Sequence, residues 1–390
     1  MRGFLTKVYA FKLFESLIPI FPFYLAFCVD RGLSPVQISI AITAWSLTAF
    51  VLEVPAGVLA DRFSRKLVLL GGQAAYGACF LLWMLWPAFW GITAGLVLWG
   101  IKSALTNGVF EALVFDELKA EGREADYTRL MGRARGLGSV GMLGASLAAA
   151  ALSPWGYPAM IAAGFISIAA CTVALMALPT APMARDAHDH DYFSHLKEGL
   201  ALTWRTPVLA GTVAFLAALW ALGNIMQEFW PVFGREVGLS LTLIAVIISG
   251  QYAVEAGVAA LAHRLGGLPT WVFHVAMSVC GVILAAAAAI YTAPVMGLLV
   301  LYSWAMKAMD VVMEGRLQAE APSHMRATIG SVKGFMAQIA ILIFNASFGP
   351  LAQATSYRTA FLTVGVTAVA VGLVAWVLGF MGRRRSAGLV

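Results

Sequence analysis

Several charged side chains stand inside long apolar runs of this chain, and their spacing suggests that they act together. Lys307, Asp310 and Glu314 recur at i, i+3 and i+7, one face of a helix, and Lys12 and Glu15 share an i, i+3 relation near the amino terminus. Glu53 and Glu255 each lie well inside an apolar run, Lys102 nearer the middle of another, and Glu111 and Glu228 toward the ends of theirs. An ionisable group in a low-dielectric setting needs a partner or a watery cavity. A carboxyl so placed can take up a proton from one side and release it to the other, and a neighbouring lysine tunes that exchange. Glu53, Glu255, Asp310, Glu15 and Glu228 are therefore candidate proton carriers, with Lys102, Lys307, Glu111 and Glu314 as their partners. The competing reading is that acids and lysines form fixed ion pairs holding helices together.

The elements that must position these groups follow from composition. Hydrophobic residues make up 61% of the chain, charged residues only 12%, and mean hydropathy is +0.83. A soluble domain carries about a quarter charged residues, so so much apolar surface calls for a bilayer as its solvent. Twelve apolar segments are expected, near 8–28, 37–60, 67–87, 90–115, 134–153, 158–178, 208–230, 239–262, 270–290, 294–315, 328–350 and 358–381. Each approaches the ~20 residues that cross a ~30 Å hydrocarbon core as a helix. The start, Met1 to Lys7, lacks a signal-peptide layout. Cys28, Cys79, Cys171 and Cys280 read as small buried hydrophobes without pairing or metal spacing. No phosphate loop, metalloprotease motif or nucleophile elbow is present, so neither an enzyme nor a cofactor or metal is expected.

Orientation follows from the basic residues. Only Arg31, Arg235 and Arg358 fall on the odd-numbered connections, whereas 20 of the 26 lysines and arginines lie on the other side. By the positive-inside rule both termini are expected in the cytoplasm, and the net charge of +6 is a topology signal, with no nucleic-acid partner implied. Trp86, Trp90, Trp155, Tyr157, Trp230 and Tyr291 are expected as anchors at the outer interface. The loop from Pro179 to Arg205 divides the chain into a bundle at 1–178, a cytoplasmic linker at 179–205 and a bundle at 206–390. Its Asp186–Asp191 run of acids and histidines reads as solvated linker rather than a metal site.

An internal repeat supports that division. The stretch Val51–Arg62 lines up with Ala253–Arg264, placing Glu53 on Glu255, and Trp99–Lys102 matches Trp304–Lys307. Both copies put an acid in an even-numbered segment and a lysine two segments later.

Gly57-Val58-Leu59-Ala60-Asp61-Arg62-Phe63-Ser64-Arg65-Lys66 ends the second segment and precedes the third, and is expected as a short charged loop facing anionic lipid. It resembles the G-x-L-A-D-R-x-G-R-K signature of the major facilitator superfamily, with Ser64 where the family has glycine. Asn107-Gly108-Val109-Phe110-Glu111-Ala112 through Asp116, and Glu53-Val54-Pro55-Ala56-Gly57, resemble stretches of a drug-efflux-like, proton-antiporter branch. Gly136, Gly138, Gly141 and Gly144 occupy the fifth segment without that branch's Gly-Pro step. The resemblance implies an all-α integral membrane fold of twelve helices in two six-helix bundles related by a pseudo-twofold axis, with substrate bound between them near mid-membrane. It also implies that Gly57, Asp61, Arg62, Arg65 and Asp116 form a cytoplasmic latch, the loop acid meeting the start of the eleventh helix and the arginines reaching the acid that ends the fourth.

Polar residues on the first, fourth, seventh, eighth and eleventh segments are candidates for the substrate cavity: Tyr24, Thr106, Asn107, Asn224, Gln227, Gln251, Gln338 and Asn345. Each has the alternative role of interhelical hydrogen bonding. The reading is a monomeric secondary active transporter of a bacterial-type inner membrane, exporting an amphipathic small molecule coupled to protons by alternating access. Proton-coupled uptake of a polar solute, and a non-transporting scaffold or sensor with the same fold, are the alternatives.

Overall fold

A computed structural model describes residues 2–179, 200–322 and 325–387, and the Asp186–Asp191 run lies outside them. The first crossing is broken: α1 (Arg2–Ser16) and α2 (Tyr24–Asp30) are separated by residues 17–23, of which Phe21–Phe23 form a single 3-10 turn. Pro19 and Pro22 account for the break, since neither offers an N–H to the ladder. Next come α3 (Pro35–Arg62), α4 (Arg65–Leu85), α5 (Phe89–Thr106) and α6 (Val109–Ala120), then α7 (Tyr127–Leu152) and α8 (Gly156–Met176). α5 and α6 form one interrupted fourth crossing, because Asn107 is extended and Gly108 takes φ +75°, a conformation that costs glycine nothing. The second half holds α9 (Pro207–Glu236), α10 (Leu241–Leu261), α11 (Thr270–Ile290), α12 (Met296–Glu320), α13 (Arg326–Ala354) and α14 (Tyr357–Ala387). The described residues thus make twelve crossings, two of them broken where continuous helices were expected.

Contacts divide the chain into two compact units. The first comprises Met1–Ala187 with Leu239–Tyr252, the second His188–Gly238 with Ala253–Val390. In the first unit, α1 lies directly on α7. A β-carbon on Gly141 would sit 2.4 Å from the Leu13 carbonyl oxygen, one on Gly144 2.7 Å from Leu17, and one on Gly138 3.3 Å from Ser16 Oγ. Small residues permit this backbone approach, which fixes α1 just before its break. In the second unit Gly281, Gly365 and Gly372 do the same for α11 and α14: a β-carbon on Gly372 would lie 2.5 Å from the His274 carbonyl oxygen.

The aromatic residues do not all anchor at an interface. Trp86, Trp90 and Trp155 are exposed, but Trp230 is buried, and Tyr157 is buried with its hydroxyl donating to Asp30 Oδ2 at 2.7 Å. All four cysteines are free and buried.

Candidate functional site

The first unit gathers four of the intramembrane charges around the two helix breaks. Glu15, next to last in α1, accepts from Lys12 Nζ at 3.0 Å and from Lys102 Nζ of α5 at 2.8 Å. Lys12 also lies 3.8 Å from Glu111, in the first turn of α6, and sits over the Phe110 ring at 4.6 Å. Phe110 stacks on Phe11 with centroids 4.2 Å apart, so an apolar plate closes one side of the network. Lys102 lies 5.3 Å from the Tyr76 ring centroid, and Tyr76 packs on Trp99. Two lysines and two glutamates balance in charge, and none of the four side chains is more than 28% exposed. That is the geometry of a well-compensated buried ion-pair network.

Of the candidate acids, Glu15 is the one that holds Lys102. Glu53 is exposed on α3 and makes no hydrogen bond or ion pair with a described residue. It lies two segments from Lys102 in sequence but on an outward face, because the period of α3 sends Ala56 and Ala60 inward instead. Glu255 and Glu228 are half-buried.

The second unit carries a different constellation on α9, α12 and α13. Trp220 Nε1 donates to Asp310 Oδ1 at 2.7 Å, and Lys307 Nζ lies 3.5 Å from Asp310 Oδ2. Glu314 shares the α12 face with Lys307 and Asp310 but accepts from Lys333 of α13 at 2.6 Å. The Lys333 ammonium in turn lies 5.4 Å from the centroid of the Trp220 ring. Trp220 and Lys333 were not among the expected site residues. The signal was in the repeat: Trp220 follows Glu15 by the same interval at which Lys307 follows Lys102. The residue on the first helix of each half faces the site of the fourth-helix lysine, and only its chemistry differs.

Gly57 to Arg62 belong to α3, so the signature stretch is mostly helix and only Phe63 and Ser64 stand between α3 and α4. Ser64 adopts φ −56° and ψ 121°, open to any residue, so glycine is not required there. Arg65 Nη1 donates to the Asp116 carboxylate and, at 3.1 Å, to the Ala112 carbonyl. Lys66 Nζ donates to the carbonyls of Met176 and Leu178, both at 2.6 Å, and caps the end of α8. Arg62 is exposed and the Asp61 side chain lies outside the described residues. In the second unit Arg316 of α12 donates to Leu268 O, Gly266 O and Thr270 Oγ1, so that loop is held by a cation on carbonyls.

Of the cavity candidates, Tyr24, Thr106, Gln251 and Asn345 are buried. Tyr24 packs edge-on against Trp99, and Thr106 Oγ1 would meet a β-carbon on Gly72 at 3.4 Å, which places it against α4. Asn107 and Gln227 are exposed, and Asn224 and Gln338 are half-buried. Asn224 Oδ1 has no donor among the described residues. No cluster of histidine, cysteine and acid capable of holding a metal occurs among the described residues.

Comparison with known proteins bears on family and fold. Residues 8–344 match the sequence model of the Major Facilitator Superfamily. The chain is 25% identical over 373 residues to the enterobactin exporter EntS of Shigella flexneri, covering 85% of this chain and 82% of that protein. It is 35% identical over 101 residues to the inner membrane transport protein YajR of Escherichia coli (strain K12), a match of 26% of this chain that spans about a fifth (21%) of YajR. Among solved structures it is similar to the nucleoside transporter NupG, with a TM-score of 0.71 at 14% identity, covering 96% of this chain and 97% of that one. It is also similar to a bacterial homologue of the human lysosomal transporter Spinster, with a TM-score of 0.74 at 14% identity, covering 97% and 95%. At such identities the structural likeness establishes the fold alone.

Proposed function

This chain belongs to the major facilitator superfamily, and on that premise we propose that it exports an amphipathic small molecule across a bacterial inner membrane in exchange for protons. It is a multi-pass membrane transporter and not an enzyme. The observation that carries the export reading is the alignment with an exporter along most of both chains. Proton coupling is supported by acids kept inside apolar helices, which an inert bundle gains little by retaining. Among them Asp310 is the best carrier. It is partly open, with a side chain 23% exposed, and it has an indole donor and an ammonium to stabilise its charged form. Glu15, closed between two lysines, is better suited to fixing the first and fourth crossings.

In this mechanism Asp310 is protonated when it faces the outer side and deprotonated when it faces the cytoplasm, and substrate moves the opposite way by alternating access. Lys307 remains beside the carboxylate and limits the cost of its charge in low dielectric. The Arg65–Asp116 pair and Asp61 serve as the cytoplasmic latch, the protein acts as a monomer in contact with lipid, and both termini lie in the cytoplasm. The test is transport in proteoliposomes under an imposed pH gradient, screened over amphipathic ligands. Substrate accumulation against its gradient, driven by opposing proton flow, is expected. Flux indifferent to the pH gradient would overturn the coupling, and accumulation in the direction of proton flow would replace export by uptake.

A further inference from the structure

We propose that the open face of the Trp220 ring seats a flat aromatic group of the substrate, and that the Lys307 ammonium receives an acidic oxygen carried by that group. This rests on the transporter reading and names its substrate class: aromatic acids.

The ring is held in place from two sides. Its edge is fixed by the Nε1–Asp310 hydrogen bond of 2.7 Å, and one face is covered by the Lys333 ammonium, 5.4 Å from the centroid. Trp220 is nonetheless 48% exposed, so the opposite face is open. Asp310 and Lys333 touch the ring and are paired in turn with Lys307 and Glu314, and charged side chains in membrane helices turn toward water or protein rather than lipid, so the open face looks into a polar space. A cation already on one face opposes a second cation on the other. A neutral aromatic ring meets no such opposition and gains stacking.

Lys307 supplies the complementary charge. Its ammonium has three donors, lies 3.5 Å from Asp310 Oδ2, and belongs to a side chain 42% exposed, so donors remain for a ligand. Trp220 and Lys307 contact opposite oxygens of one carboxylate. Asp310 thus bridges the ring edge, 2.7 Å from one of its oxygens, and the ammonium, 3.5 Å from the other, and a ligand whose acid group extends from its ring would span the same two groups.

The full-length protein in lipid nanodiscs, without a pH gradient, is tested by equilibrium dialysis with three probes: naphthoate, its saturated counterpart decalin carboxylate, and naphthylmethylammonium. Naphthoate is expected to bind about tenfold more tightly than either of the others. Trp220→Leu should lose about tenfold for naphthoate and leave the saturated acid unchanged, whereas Trp220→Phe, which keeps a ring, should stay within about threefold. Lys307→Gln should remove the preference for naphthoate over naphthylmethylammonium. Equal binding of the saturated acid, wild-type affinity in Trp220→Leu, or no naphthoate binding by the unaltered protein at millimolar concentration overturns the proposal. Naphthoate binding without pH-driven flux would keep this site and reject proton coupling. Driven flux of another ligand without naphthoate binding would do the reverse.

Discussion

Lys102 Nζ lies 2.8 Å from Glu15 Oε1, joining the fourth crossing to the first at the points where both helices are interrupted. The two side chains are 11% and 13% exposed, and Lys12 completes the shell from 3.0 Å. Removing one member of such a pair strands a charge and costs about 3–5 kcal/mol, whereas replacing both members is far milder. Glu15→Gln is therefore expected to lower the melting temperature of the detergent-extracted protein, as is Lys102→Gln. The double variant should recover most of the loss, since two amides can hydrogen-bond and Lys12 keeps Glu111. A double variant as unstable as the two losses added together would show that the pair is not a unit.

The glycines of α7 give a second stability test. Gly141→Ala places a β-carbon where the Leu13 carbonyl oxygen lies 2.4 Å away, so α1 must shift just upstream of Glu15. Gly136→Ala meets open space in the same helix. Melting temperature should fall for the first and hold or rise for the second, because alanine favours helix by about 1 kcal/mol over glycine. Equal melting of both variants would mean that α1 does not rest on α7 as described.

The twelve crossings were legible in the sequence because each is a long apolar run. The alignment of Lys102 with Lys307 was legible too, because charge is rare there. The two breaks were not anticipated, although Pro19, Pro22 and Gly108 stand at them: hydropathy counts side chains and is blind to a missing N–H or a positive φ. Partner choice was the weakest part. Spacing along one helix correctly joined Lys12 to Glu15 and Lys307 to Asp310, but the partners of Lys102 and Glu314 come from other helices. Which face of α3 carries Glu53 depends on packing against α5, and no local pattern reports it. Trp230 and Tyr157 show the same limit, since an aromatic near a span end can turn inward as readily as toward the interface.

The signature stretch separates cycling from folding. Arg65 pairs with Asp116 in a partly exposed setting, where one ion pair contributes about 0–1 kcal/mol. Asp116→Asn and Asp61→Asn should therefore leave expression and monodispersity intact while lowering transport. Exchanging the charges, Arg65→Asp with Asp116→Arg, should restore part of the activity lost in Asp116→Asn. Wild-type transport by both single variants would make the stretch dispensable here.

Orientation can be read with reporter fusions. From the uneven distribution of 26 basic residues, both termini and the linker at 179–205 are expected on the cytoplasmic side. Fusions at Arg383 and between 186 and 191 are expected to give cytoplasmic signals. A periplasmic signal from either would reverse the assignment of faces, and with it the side from which Asp310 loads its proton.

The coupling assignment rests on a panel of neutralised acids. Asp310→Asn keeps an acceptor for the Trp220 indole and removes the charge beside Lys307, so the site should persist without its proton carrier. Uphill, pH-driven flux is expected to be lost in this variant while downhill exchange of substrate continues, because exchange needs only the binding site and the alternation. Glu53→Gln removes an exposed group with no partner among the described residues, so its melting temperature should stay unchanged, and driven flux should fall only if Glu53 also handles protons. Glu255→Gln is the matched control from the second copy of the repeat. Driven flux preserved in Asp310→Asn would eliminate it as the carrier. Loss of drive in Glu53→Gln or Glu255→Gln alone would then move the proton to the second or the eighth crossing, respectively, and the aromatic-acid site at Trp220 would have to operate without a titrating carboxylate.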